Sequence, residues 1–193
     1  DTLDEYGEIA KKAAEKRLLS ACKGALEVTG SFLYGDDATY ENADALAKLK
    51  EVQEADMIFA VGGGRAVDTV KKTAGEMNKP IFTFPTLASN CAPVTAIGAY
   101  YYPNHAFRSV WFRTRPAFHT FIDTQVIAEA PAEYFWAGIG DALSKQYEVV
   151  FSSRGDTLTY SQSLGVQLAH HCSDGLLQHG EEALNAVKNR TVN

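Results

Sequence analysis

The 193 residues carry 18 Lys and Arg against 24 Asp and Glu, a formal charge of −6, with 46% apolar and 22% charged residues. That is an ordinary globular balance, long enough to bury a core as one large domain or one domain plus part of another. An acidic chain excludes nucleic acid as the main partner, no apolar run reaches the ~18 residues of a membrane span, and three scattered cysteines (Cys22, Cys91, Cys172) exclude a disulfide framework and point to a reducing, cytoplasmic setting.

The chain opens on Asp1 rather than Met, with no signal or transit pattern. Positions 11–22 place Ala14, Leu18, Leu19 and Cys22 at helical spacing, without a clear strand before them. A longer parent, or a join across a break, is therefore expected. Positions 26–33 read as a short strand, and Gly35-Asp36-Asp37 supplies a turn. Positions 42–52 set Ala45, Leu46, Leu49 and Val52 on one helical face. Met57-Ile58-Phe59-Ala60-Val61 is a continuous apolar run, as in a strand of a parallel sheet buried on both faces. Gly62-Gly63-Gly64 follows, then a helix over 66–77 and a second buried strand over 80–84 ending at Pro85. This alternation predicts an α/β, Rossmann-like nucleotide-binding domain over 1–128. Beyond a linker near 124–131, Pro131 can open a helix running to about Val150, with a break at Ser152-Ser153-Arg154-Gly155. Further helices are read over 157–177 and 181–188, so 129–193 reads as the start of a helical second domain.

Three segments carry chemistry. Three glycines after a buried strand bring the backbone close to a ligand, and the helix start beyond them favours a phosphate; the plain reading is a tight corner. Pro85-Thr86-Leu87-Ala88-Ser89-Asn90-Cys91-Ala92-Pro93 leaves the same carboxyl edge of the sheet, where ligands of open α/β sheets bind; its plain reading is a rigid loop. Ala137-Gly138-Ile139-Gly140-Asp141-Ala142-Leu143 keeps two helical glycines at a cost of about 1 kcal/mol each, which calls for close backbone approach or room for a ligand. Asp141 is there a metal ligand or base, or else a surface partner of Lys145 one turn on.

Together these segments resemble the iron-containing alcohol dehydrogenase superfamily, most closely its glycerol dehydrogenase branch, from about Leu26 onward. The resemblance implies a nucleotide-binding domain followed by an all-helical, dehydroquinate synthase-like metal domain. It implies that Gly63, Gly64, Arg65, Ala66 and Asp68 line the pyrophosphate turn of NAD, with Thr86, Ser89, Thr95, Ile97 and Tyr101 further along the cofactor. It makes Asp141 the catalytic aspartate ligand of one divalent metal, zinc or iron, whose two histidines come from later in the helical domain; His170, His171 and His179 lie too early to match. Cys91 falls at a substrate position where glycerol-oxidising members carry aspartate, and a thiol is a weaker acceptor than a carboxylate. The implied activity is NAD-dependent, metal-assisted oxidation of a small alcohol or polyol by a homo-oligomer. The alternatives are a phosphorylated substrate, as in glycerol-1-phosphate dehydrogenases and dehydroquinate synthase, or a non-catalytic NAD-binding module. For a phosphorylated substrate Arg108, Arg113 and Arg115 are possible donors, although their plain reading is a solvated basic hairpin. Tyr100-Tyr101-Tyr102 and Trp111-Phe112 read as packed strand aromatics, and His105 and His119 have no partner at informative spacing.

Overall fold

The computed structural model describes residue 12 and residues 14–191. A first helix, α1, covers 14–22, and α2 (Tyr40–Ala47) and α3 (Lys50–Glu54) follow after a long irregular stretch. Strand β1 (Ile58–Gly62), helix α4 (Gly64–Glu76) and strand β2 (Ile81–Pro85) form a βαβ unit, in which β1 and β2 pair in parallel with Ile58 opposite Ile81 and Val61 opposite Phe84. A 3-10 turn (Ala92–Val94) leads to an antiparallel hairpin, β3 (Ile97–Tyr101) and β4 (Phe107–Phe112), with a bulge between Tyr100 and Tyr101. The short β5 (His119–Thr120) then adds in parallel to β2, giving a sheet of order β1-β2-β5. Helices α5 (Thr124–Glu129), α6 (Ala132–Ser152) and α7 (Tyr160–Lys188) complete the described chain.

The two-residue period of the strands sends alternate side chains to opposite faces. On one face Ala60 and Ile81 meet Val67 and Ala74 of α4 in a buried cluster, joined by Ile58 and Val70. On the other, Val61 and Phe84 pack with Ala14 and Leu18 of α1 and Val126 of α5, beside an aromatic row in which Phe59, Phe82 and Phe121 stack. α6 and α7 pack mainly against each other, with Gly180 of α7 at Ile139 of α6. No described helix is long and apolar enough to cross a membrane.

Four local expectations are corrected. Residues 26–33 form no strand: they are exposed and have no ladder partner among the described residues, and apolar spacing alone cannot make a strand without a neighbour to pair. The helix over 42–52 is two helices, because Leu49 takes an extended conformation (φ −69°, ψ +132°). The linker near 124–131 contains α5, capped by the Asp123 carboxylate, which accepts from the backbone of Gln125 and Val126. The two helices expected over 157–188 are one continuous α7, opened by a capping box in which Thr159 and Gln162 satisfy each other's backbone N–H groups. Pro131 does sit at the N-terminal cap of α6.

Candidate functional site

The triple glycine is a sharp exit from β1. Gly62 has φ +146°, and a Cβ there would lie 2.8 Å from that of Ala66. Gly63 caps α4 without a side-chain hydrogen bond, and the first helical bond runs from Val67 N to Gly63 O at 3.1 Å. The N–H groups of Gly64, Arg65 and Ala66 therefore have no acceptor among the described residues. No acidic residue occupies this first turn, and Arg65 adds a positive charge. Unanswered donors at the positive end of a helix dipole suit an anion. The loop after β2 lies directly above: Thr86 N donates to Gly62 O at 3.2 Å, and Cβ atoms at Gly63 and Gly64 would come within 3.1 Å of Leu87 and 2.8 Å of Asn90. Ser89 sits in this loop and accepts a 3.3 Å bond from the Asn90 amide.

The other expected cofactor residues are arranged differently. Lys71, only 1% exposed, donates its ammonium to Asp68 Oδ1 (3.1 Å), Thr95 Oγ1 (3.1 Å) and the Ile97 carbonyl (2.6 Å). The second oxygen of Asp68 accepts from Ala99 N at 3.1 Å, and the Tyr100 hydroxyl donates to the Asp68 carbonyl. Buried Lys71 and Asp68 thus form a polar strut between α4 and the β3–β4 hairpin, completed by the hydroxyl of half-buried Thr95 and the backbone carbonyl of exposed Ile97. Burial pushes the Asp68 carboxyl above its usual range and the Lys71 ammonium below its own, while the attraction between them opposes both shifts. Lys71 is a residue that sequence reasoning missed in this role; the Asp68-to-Lys71 spacing of three on one helix face was the available signal. Tyr101 ends β3, donating its N–H to Ala38 O at 2.9 Å with its ring edge-on to Phe107.

The solvated basic hairpin is corrected at two of its three arginines, while Arg115 is exposed as expected. Arg108 pairs with Glu41 at 3.1 Å and lies over the rings of Tyr40 and Tyr102. Arg113 has its Nη1 buried without a partner among the described residues, and burial lowers its pKa. His105, expected to be alone, meets Asp37 Oδ2 at 2.7 Å. His119 packs against Phe121 with the two rings tilted. Tyr100 and Trp111 do pack, Tyr100 fully buried and Trp111 against Gly75, whereas Phe112 is exposed.

A cleft of about 540 Å³ opens between the loop after β2, α5, Phe135 of α6 and the end of α7. Cys91, Thr120, His179 and Glu182 line it, and Cys91 is an exposed free thiol. α6 reaches the loop through Gly138, where a Cβ would fall 1.8 Å from Ala88 O, while a Cβ at Gly140 would meet nothing within 4 Å. Asp141 follows on the same helix, half-buried, with Oδ1 taking the Lys145 ammonium at 3.0 Å. The described residues contain no group of three or more His, Cys, Asp or Glu able to hold a metal. A zinc-type site takes about four ligands, so Asp141 by itself does not amount to one.

A parallel βαβ sheet with a glycine turn at its carboxyl edge, joined to a helical hairpin, defines a Rossmann-like α/β class. Residues 5–131 match the iron-containing alcohol dehydrogenase family, and the chain belongs to that family, in its glycerol dehydrogenase-like branch. It is 34% identical to a glycerol dehydrogenase of Pseudomonas putida over all of this chain and 58% of that protein. A probable glycerol dehydrogenase from Sinorhizobium meliloti 1021 superposes with a TM-score of 0.72 at 29% identity, covering 83% of this chain and 46% of the other. At the level of fold alone, sulfoacetaldehyde reductase from Bifidobacterium kashiwanohense, solved in complex with NAD+, matches with a TM-score of 0.62 at 20% identity, covering 93% and 54%. The chain spans about half the length of the relatives it matches.

Proposed function

We propose that this chain supplies the nucleotide-binding half of an NAD-dependent dehydrogenase acting on a small alcohol or polyol. One observation carries the reading: the uncapped start of α4, with three unanswered N–H groups and Arg65, lies under the loop from Thr86 to Cys91. In this reading Gly63, Gly64, Arg65 and Ala66 hold the pyrophosphate of NAD, and Thr86 and Ser89 face the cofactor from above. NAD, when bound, supplies the hydride acceptor. The chain's own part is to fix the cofactor at the sheet edge and to keep the Cys91 cleft beside it, because hydride transfer needs near contact. Asp68, Thr95 and Ile97 act indirectly, through the Lys71 strut that holds α4 against the hairpin, and Tyr101 by anchoring the end of β3. Asp141 is proposed as one carboxylate ligand of zinc or iron. When bound, that metal would supply Lewis-acid chemistry; among the described residues no group of three or more His, Cys, Asp or Glu stands there to complete its site.

The test is NADH formation by the protein carrying this chain, with added zinc or iron, across short diols, polyols and their phosphates. Metal-dependent turnover on plain polyols supports the reading, and so does a homo-oligomer in light scattering. NAD binding without turnover on any of them would move the assignment to a binding module. A phosphorylated substrate is the second reading, favoured by the unpartnered buried nitrogen of Arg113 close to Lys71. Turnover confined to the phosphates, and lost in Arg113→Met, would select it.

A further inference from the structure

Asp37 is 1% exposed, yet it lies in a turn before α2, outside both hydrophobic clusters. Its carboxylate is met from three directions. Oδ1 accepts from its neighbour Ala38 N at 2.8 Å and lies 3.3 Å from Nε of Arg65, in the first turn of α4. Oδ2 lies 2.7 Å from Nδ1 of His105, in the β3–β4 turn. The turn is itself stitched in place: Asn42 donates to the Asp37 carbonyl at 2.8 Å, and Tyr101 N donates to Ala38 O at 2.9 Å. His105 reaches Asp37 from a left-handed backbone (φ +64°) closed by a 2.8 Å bond from its N–H to Tyr102 O. A non-glycine residue is uncommon in that backbone region, so the hairpin tip holds His105 in a strained conformation at the contact.

The consequence falls on Arg65. Its Nε faces Asp37, while its side chain is 61% exposed and its two terminal nitrogens have no hydrogen-bond or ion-pair partner among the described residues. The ion pair lies on the Nε edge of the guanidinium and leaves the Nη pair as a planar fork, the geometry that matches a phosphate. The same side chain belongs to the helix turn whose backbone N–H groups are unanswered. We propose that Asp37, locked by His105, is a positioning residue that orients the Arg65 fork toward the diphosphate of the bound nucleotide. The proposal rests on the nucleotide reading above. Three segments distant in sequence then converge on one function: the Asp37 turn, the start of α4 and the tip of the hairpin.

Calorimetry with NAD, ADP and adenosine separates the possibilities. Asp37→Asn should weaken NAD and ADP about tenfold, the worth of one charge-assisted hydrogen bond, and leave adenosine unchanged. Arg65→Gln should weaken them at least as much, and the double variant no further, because Asp37 acts only through Arg65. His105→Gln, which touches neither Arg65 nor the phosphate, should cost about twofold. If Asp37→Asn fails to fold, Arg65→Lys decides: it keeps the charge without Nε and should still lose ADP affinity severalfold. An unchanged Arg65→Lys, an equal loss for adenosine, or an Asp37→Asn effect that persists in the Arg65→Gln background would each overturn the positioning role. If the wild-type protein binds neither NAD nor ADP, the nucleotide reading itself falls, and the positioning role with it.

Discussion

Helix α4 buries eight of its thirteen residues, whereas α6 buries none of its twenty-one and α7 only four of twenty-nine. α4 is pressed between the sheet and α2 and the β3–β4 hairpin, and it tolerates buried polar groups because each finds a partner: Thr69 and Thr73 donate to carbonyls and Lys71 closes the strut. The helical pair relies on mutual packing and on the Gly138 contact with the loop, and it exposes Trp136, Tyr147, Phe151, Leu168 and Leu177. The difference shows where the described residues bury their side chains. The half that holds the candidate nucleotide site has its own core and a buried polar brace, while the helical half adds a cleft wall without a comparable interior.

The comparison can be broken most forcefully at the brace. Lys71→Met should destabilise by about 3–5 kcal/mol in chemical denaturation, because it leaves the buried Asp68 carboxylate unpaired. Next in size, Ile81→Ala should cost about 2–5 kcal/mol, whereas Leu177→Ala on α7 should change stability by no more than ~0.5 kcal/mol. Equal losses would mean that the two halves are not as different as their burial implies. The helical glycines sharpen the contrast by sign. Gly138→Ala forces a methyl onto the Ala88 carbonyl and should lose about 1–3 kcal/mol, while Gly140→Ala, facing open space, should gain up to about 1 kcal/mol. The smallest effect is alkaline. Burial lifts the Tyr100 hydroxyl well above its usual range, so above pH ~10 the unfolded chain releases a proton that the folded chain keeps. Stability should fall with rising pH there, and Tyr100→Phe should flatten that slope relative to wild type.

Local patterns were sufficient wherever one segment's chemistry decided its own structure. Continuous apolar runs marked β1 and β2, three glycines marked the corner between β1 and α4, and Gly138 foretold the close approach of α6 to a neighbouring backbone. The strand expected over 26–33 failed because a strand is defined by a neighbour, and the two helices expected over 157–188 are continuous through the expected break, where Gly180 is buried facing Ile139 of α6. Among the expected cofactor residues, spacing alone could not separate those at the helix start from those around Lys71.

The sequence by itself determined the alternation of strand and helix, the glycine corner and the family, because these follow from periodicity and from residue types at short range. Only the tertiary structure decided that Asp68, Thr95 and Ile97 surround Lys71 and that Asp37 joins Arg65 to His105. Those contacts link residues up to 68 positions apart, and burial is what makes their pairing obligatory: a charge removed from water must find a partner wherever the fold brings one.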